Sequence, residues 1–135
     1  MSAPSDRASS LARAQAITKI PVHDLDRARA WYRDMLGLEA TEVRPGGLRY
    51  CCASGEFHVF LSSGAASGTA TQMGFDVEDI AATVAELRTR GVVFEVDEIV
   101  DAGNNYPSKG TGELGTWFRD CDGNLLGLGQ PTGAP

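Results

Sequence analysis

The chain contains the same helix-forming pattern twice, with its starts 55 residues apart. The first copy begins at Asp24 and ends at Gly37, and the second begins at Asp79 and ends at Gly91. In each copy an aspartate can accept hydrogen bonds from the unpaired N–H groups of the first helical turn. A glycine can adopt the left-handed conformation that ends a helix. One copy is typical of any capped amphipathic helix, but two copies at a fixed spacing indicate a duplicated supersecondary unit. Matching residues flank and fill the two copies: Val22 and Val77, Leu25 and Ile80, Ala30 and Ala85, Arg33 and Arg88.

A strand is predicted before each helix, at residues 16–22 and 71–77, because apolar residues alternate there. This alternation turns one set of side chains towards the helices: Thr18, Ile20, Val22, Met73, Phe75 and Val77. Pro21 cannot donate a ladder hydrogen bond, so the first strand is predicted to lie at a sheet edge. Further strands, separated by turns rich in glycine, are predicted at residues 39–44, 48–53, 57–61, 92–100, 117–119 and 125–128.

The predicted fold class is α+β, with two tandem βαβββ modules. Together they are expected to form a cupped eight-stranded mixed sheet around a concave cavity, with the helices outside. We predict a flexible tail at 1–14, one domain at 15–130 and a second tail at 131–135. Module one is placed at 15–64, a flexible linker at 62–70 and module two at 71–130. Residues 101–115, rich in glycine and asparagine, are predicted to be a mobile loop covering the cavity mouth.

The composition excludes several classes of function. The chain has 12 basic and 18 acidic residues, a net charge of −6, which argues against binding to nucleic acid. It has no apolar run of the roughly 20 residues that span a bilayer, so no membrane association is predicted. The three cysteines are an odd number without the spacing of a disulfide framework. The sequence therefore predicts a cytoplasmic protein.

Several side chains are predicted to face the cavity. The alternation that turns apolar residues towards the helices turns Ile17, Lys19, Gln72 and Asp76 the other way. His58 is expected on the same face, either as a general base or as a hydrogen-bonded part of the wall. Lys19 and Asp76 are interpreted as an ion pair of the wall or as an anchor for a polar ligand. Two aromatic candidates for ligand contact lie within and just after the predicted loop: Tyr106 and Trp117.

Three segments, VHDLDRARAWYRDMLGL, FDVEDIAATVAELRTRGV and WFRDCDGNLLGL, resemble the vicinal oxygen chelate superfamily. Glyoxalases, bleomycin-resistance proteins and ring-cleaving dioxygenases belong to it. The segments match the helix starts and final hairpin of that superfamily, and the resemblance covers residues 16–129. It implies the two-module fold and a homodimer. It does not identify a reaction, because this fold carries many unrelated activities.

The resemblance also implies four positions for the ligands of a divalent metal: Ile17, Phe60, Gln72 and Gly127. Only Gln72 has a donor atom, since Gly127 stands where the superfamily pattern has a glutamate. Adding His58 gives at most two ligands, whereas a catalytic metal site needs about three. We therefore predict that no metal is bound and that the missing glutamate leaves room for a larger ligand.

The leading prediction is a protein that binds a small organic molecule in its cavity without metal, with or without catalysis by His58. One alternative is a metal-dependent lyase of the glyoxalase type, or a dioxygenase, with rearranged ligands. Another is an interaction module without an enclosed cavity.

Overall fold

The computed structural model describes residues 9–64, 68–106 and 111–132, with side chains for all of these except 102–106, 111, 112 and 132. A 3₁₀ turn at Ser10–Arg13 precedes the two modules. Each module follows the predicted order of one strand, one helix and three strands. The elements are β1 (Thr18–Val22), α1 (Leu25–Leu36), β2 (Glu42–Arg44), β3 (Gly47–Cys51), β4 (Glu56–Leu61), β5 (Thr71–Asp76), α2 (Ile80–Arg90), β6 (Val100–Tyr106), β7 (Thr111–Arg119) and β8 (Leu125–Thr132).

The eight strands form two sheets with the same topology. The orders are β1-β4-β3-β2 and β5-β8-β7-β6, so the strands divide into two sheets of four. In each sheet the first strand runs parallel to the last, and the other pairs are antiparallel. The repeated order confirms the duplication, and β1, which contains Pro21, lies at a sheet edge as predicted.

Both helices begin and end as the repeated pattern predicts. The Asp24 carboxylate accepts a hydrogen bond from the backbone N–H of Arg27 at 3.0 Å. The Asp79 carboxylate makes the same bond to the N–H of Ala82, also at 3.0 Å. The helix-ending glycines, Gly37 and Gly91, have φ angles of 69° and 109°, a conformation that a residue with a Cβ adopts only with strain.

One hydrophobic core lies between the sheets and the helices and includes residues of both modules. In β1, Ile20 and Val22 are buried, and three side chains of module two pack against the same core: Met73, Phe75 and Val77. Aromatic contacts cross between the modules. The Trp31 and Phe118 ring centroids lie 6.4 Å apart, and those of Phe57 and Phe75 lie 6.0 Å apart. The predicted helix-facing positions are therefore confirmed for all of these residues, while Thr18, the remaining one, is half-buried at the start of β1.

Side chains of module two cover the free edge of β1. The Gln72 amide donates to the Lys19 carbonyl at 3.1 Å, and the Asn124 amide donates to the Pro21 carbonyl at 2.9 Å. Carbonyls two residues apart in a strand point the same way, so both acceptors face away from β4. Pro21 fits at this edge because it has no N–H that needs a partner there.

A buried carboxylate joins the last turn of module two to α1. Asp120 accepts hydrogen bonds from the Tyr32 hydroxyl at 2.8 Å and from the Asn124 backbone and side chain at 3.0 and 2.9 Å. It also accepts from the Asp122 N–H at 2.9 Å, within the turn that joins β7 to β8. Burial, and then the neighbouring Asp120, raise the pKa of Tyr32 well above its usual value. This turn therefore holds the two modules together.

Two sequence predictions about module two are wrong. Residues 101–115, predicted as a loop, contain β6 and the first part of β7, which pair with two irregularities of register. Glycine and asparagine have low strand propensity. β6 forms nevertheless because β7, which pairs with β8, offers its free edge for β6 to pair with. Residues 92–100, predicted as a strand, form only an isolated bridge between Phe94 and Phe118 before β6 begins. Residues 107–110 lie outside the described residues.

Within the described ranges, no helix is long and apolar enough to cross a membrane.

Candidate ligand-binding clefts

Each sheet has a cleft on the face opposite its helix. The module-one cleft has a volume of about 520 Å³ and is lined by Gln15, Ile17, Lys19, Glu42, Arg44, Gly46, Gly47, Leu48, Arg49, Glu56, His58, Val59 and Phe60. The module-two cleft has a volume of about 370 Å³ and is lined by Thr71, Gly74, Phe75, Asp76, Glu113, Gly115, Trp117, Gly127, Leu128 and Gly129. The single cavity predicted from the sequence is therefore divided between two clefts.

The predicted site residues are distributed over both clefts. Four line the module-one cleft: Ile17, Lys19, His58 and Phe60. Three line the module-two cleft: Asp76, Trp117 and Gly127. Gln72 lines neither, because its amide bonds to the backbone of β1. The side chain of Tyr106 lies outside the described residues. Lys19 and Asp76 thus lie in different clefts, and no ion pair joins them in the described part of the chain.

A row of polar side chains crosses the module-one cleft. In the sheet register, Lys19 is opposite His58, His58 is opposite Arg49, and Arg49 is opposite Glu42. Residues directly opposite on neighbouring strands share a face and lie close enough to interact. The row therefore places three side chains that can carry positive charge next to one another on the cleft floor.

Glu56 fixes two members of this row. Its carboxylate accepts hydrogen bonds from Arg49 and from Gln15, the latter at 2.9 Å, and lies 3.2 Å from the Nε2 atom of His58. These hydrogen bonds, that from Arg49 first, lower the pKa of Glu56 from 4.5 to about 2. The ionised Glu56 carboxylate holds the guanidinium and the imidazole in place. Arg49 also lies 3.8 Å from Glu42, which pairs with Arg44.

The sequence reasoning did not identify Arg49 and Glu56 as site residues. Both belong to the hairpin whose turn contains Ser54 and Gly55. Counting outwards from that turn places Arg49 opposite His58, a signal that was present in the sequence. At the equivalent place in module two, the register puts Trp117 opposite Gly127. Arg119 lies nearer the turn and pairs with Glu95 at 2.8 Å.

The module-two cleft has a different floor. A Cβ atom at Gly127 would lie 3.4 Å from the Thr71 methyl group and 3.4 Å from the Trp117 ring. These are ordinary van der Waals distances, so Thr71 and Trp117 bound the space above Gly127, which itself lines the cleft. A Cβ atom at Gly129 would meet the carboxylates of Glu113 and Asp76 at 2.6 and 3.2 Å. Two acidic groups and an indole ring therefore surround a floor of glycine backbone.

The donor atoms on these faces do not fit a metal. Ile17, Phe60 and Gly127 offer no side-chain donor, so the four positions supply at most the amide oxygen of Gln72, whose NH2 group donates to the Lys19 carbonyl. Within the described residues, no three side chains of His, Cys, Asp or Glu come close enough together to hold an ion. The second histidine, His23, lies away from both clefts, with its Nδ1 atom 3.1 Å from Asp122. We accordingly derive no chemistry that passes through a metal.

Comparison with known proteins agrees with the fold. A glyoxalase/bleomycin resistance protein/dioxygenase from Alicyclobacillus acidocaldarius is 18% identical, with a TM-score of 0.69 over 85% of this chain and 89% of that one. A glyoxalase/bleomycin resistance protein from Catenulispora acidiphila DSM 44928 is 24% identical, with a TM-score of 0.62 over 89% and 97%. TnmS3, an antibiotic binding protein from Streptomyces sp. CB03234, is 21% identical, with a TM-score of 0.60 over 88% and 98%.

No curated protein matches the chain. The family model described as Glyoxalase/Bleomycin resistance protein/Dioxygenase superfamily matches residues 13–128, which is most of the chain and includes both modules. The repeated sheet order, the capped helices and this match lead to one conclusion. The chain belongs to the glyoxalase/bleomycin resistance protein/dioxygenase superfamily.

Proposed function

We propose that this protein binds a small organic molecule in the module-one cleft and needs no metal to do so. The observation that carries the proposal is the composition of this cleft. Ile17 and Phe60 supply apolar surface beside Arg49 and His58, which Glu56 holds in place. A few fixed polar groups on an apolar wall, in a volume of about 520 Å³, are typical of sites for organic ligands.

The superfamily and one structural neighbour support this proposal. TnmS3, which shares the fold, is an antibiotic binding protein. Independence from metal is supported by the chemistry of the inherited positions, since three of the four have no side-chain donor. A divalent cation needs anionic or lone-pair donors to replace its hydration shell, and a single amide oxygen does not supply enough of them.

The proposal is tested by thermal unfolding with a panel of metabolites and antibiotics, before and after treatment with EDTA. A ligand that binds only the folded state raises the melting temperature. We expect at least one compound to do so equally before and after EDTA. Phe60→Ala should abolish the shift, whereas Trp117→Ala, the matched change in the other cleft, should retain it. A shift that EDTA removes and one specific metal restores would instead support the metal-dependent lyase or dioxygenase.

A second candidate function is metal-free acid–base catalysis by His58. The observation that favours it is the 3.2 Å contact between His58 and Glu56, because a carboxylate beside one ring nitrogen orients the imidazole. Conversion of a bound compound that stops in His58→Gln, while binding persists, would support catalysis. Unchanged conversion in that variant would exclude it.

We also propose a homodimer located in the cytoplasm. Both clefts are open on one side, and β2 and β6 lie at sheet edges. Val43 on β2 is 52% exposed, which adds apolar surface at one of these edges. The cysteines at 51, 52 and 121 are free thiols, which fits a reducing compartment. Light scattering that gives a monomer mass at micromolar concentration would contradict the dimer.

A further inference from the structure

We propose that the ligand of the module-one cleft is an organic anion, with an acidic group such as a carboxylate or sulfonate joined to an apolar body. This inference rests on the proposed function and names the chemical class of the ligand. It follows from the charges on the cleft floor, from their partners and from the position of the apolar wall.

The cleft carries positive charge in a protein that is acidic overall. Its lining has three cationic side chains, Lys19, Arg44 and Arg49, against two carboxylates, Glu42 and Glu56. The whole chain has a net charge of −6. The module-two cleft shows the opposite balance, since its lining residues in the described part of the chain include Asp76 and Glu113 but no Lys or Arg. An anion is therefore attracted to one cleft and repelled by the other.

The carboxylates of the module-one cleft are already engaged. Glu56 accepts hydrogen bonds from Arg49 and Gln15 and contacts His58, and Glu42 pairs with Arg44. Each carboxylate therefore faces a cation of the same cleft, which reduces its repulsion of an incoming anion.

Lys19 is the cation that remains available. Across the residues that the structure describes, its ammonium group forms no ion pair. It is opposite His58 in the register, and the His58 ring already contacts the Glu56 carboxylate. An acidic group placed between the two side chains therefore compensates the charge of Lys19.

The apolar part of the ligand has a defined place beside this anchor. Ile17 precedes Lys19 by two residues on the same face, and Phe60 follows His58 by two residues on the neighbouring strand. Both side chains line the cleft and are half-buried. An aromatic or aliphatic body that contacts Ile17 or Phe60 can therefore place its acidic group between Lys19 and His58.

Two fluorescent dyes with the same ring skeleton test this inference. Anilinonaphthalene sulfonate carries an anionic group, and phenylnaphthylamine lacks it. Binding of each dye is measured with the unaltered protein, with Lys19→Met, which removes the charge but retains length, and with Lys19→Arg, which retains the charge. The control is Arg33→Met, which removes one positive charge outside the cleft, where Arg33 pairs with Asp34. Phe60→Ala reports whether the dyes occupy this cleft.

We expect the sulfonate dye to bind about tenfold more tightly than the neutral dye, and Lys19→Met to remove that advantage, because a hydrogen bond to a charged group is worth about this factor. Binding of the neutral dye should not change in Lys19→Met. Lys19→Arg and Arg33→Met should keep the preference.

Three results would overturn the inference. If both dyes bind equally and only Phe60→Ala weakens them, selectivity for anions is wrong but the proposed function stands. If Lys19→Met weakens both dyes to the same extent, Lys19 contributes packing rather than charge. If neither dye binds, or if Phe60→Ala weakens neither, the cleft does not take organic molecules and the proposed function fails as well.

Discussion

The two modules are alike on the side that faces the helices and different on the side that faces the clefts. Asp24 and Asp79 start the helices with equal hydrogen bonds, and both sheets have the same strand order. On the opposite face, module one has a row that includes Lys19 and Arg49, whereas module two has carboxylates and glycines.

This difference shows where folding constrains the sequence. Side chains beneath a helix must fill a shared core, so a change in their size or polarity is costly in both copies. Side chains in an open cleft are only partly removed from water, and the fold tolerates many residues there. The cleft faces were therefore free to diverge after duplication, and we expect the function to depend on them.

The largest effect should separate two neighbours on β1. Ile20 is fully buried in the core, while Lys19 lines the cleft. Ile20→Ala should lower the free energy of unfolding by about 2–5 kcal/mol, because it leaves a cavity in the core. Lys19→Ala should change it by no more than about 0.5 kcal/mol. Urea unfolding measures both, and equal losses would contradict the division into a folding face and a ligand face.

A smaller effect is expected where the modules differ in their last turns. Asn124 is buried and donates to the Pro21 carbonyl of module one, whereas Ser54, in the equivalent turn of module one, is exposed. Asn124→Ala should reduce the free energy of unfolding by about 1–3 kcal/mol, because buried acceptors lose their donor. Ser54→Ala should change it by less than about 0.5 kcal/mol. If urea unfolding gives similar losses of free energy for Asn124→Ala and Ser54→Ala, the module-two turn does not join the modules.

The helix caps should behave alike in the two modules. Asp24→Ala and Asp79→Ala each remove one hydrogen bond of the same length from a first helical turn. Each should cost about 1 kcal/mol of unfolding free energy, the usual value for such a cap. Thermal unfolding of the two variants provides the comparison. A cost confined to one of them would mean that the repeated sequence no longer has a repeated role.

The smallest effect concerns Glu56 and depends on pH. Hydrogen bonds, first from Arg49, lower the pKa of Glu56 from 4.5 to about 2. The Glu56 carboxylate binds a proton less tightly in the folded state than in the unfolded state. The ionised carboxylate therefore stabilises the fold above about pH 4.5. That stabilisation is lost as the pH falls through about 2.

Glu56→Gln should therefore lower the urea concentration at the midpoint of unfolding at about pH 6 but not at about pH 2. Glu95→Gln, which removes the partner of Arg119 in module two, is the matched control, and its exposed ion pair should contribute little at either pH. If Glu56→Gln lowers the unfolding midpoint equally at both pH values, hydrogen bonds to the ionised carboxylate are not the cause of the loss.

The sequence predicted the elements whose signals are local. Asp24 and Gly37, with their counterparts Asp79 and Gly91, predicted both helices, because caps and terminating glycines act within one turn. The pairing of β6 with β7 was missed because VDAGNNY has weak strand propensity of its own. That pairing depends on β7 being held by β8, which lies later in the chain.

The candidate site was predicted only in part, for a related reason. Alternation placed Ile17, Lys19 and His58 on one face, the resemblance added Phe60, and the structure brings the four together in one cleft. The role of Glu56 depends on which residues the hairpin register places opposite one another. The role of Asp120 depends on Tyr32, 88 residues away, and no local pattern encodes such a contact.

The most direct test of the account is to identify the cleft that takes the ligand. Backbone amide chemical shifts are followed by NMR while anilinonaphthalene sulfonate is added to EDTA-treated protein. We expect shifts concentrated in β1, β3 and β4, including Lys19, Arg49 and His58, with little change in β5, β7 and β8. Shifts concentrated around Trp117 and Gly127 instead, or shifts that require an added metal, would contradict it.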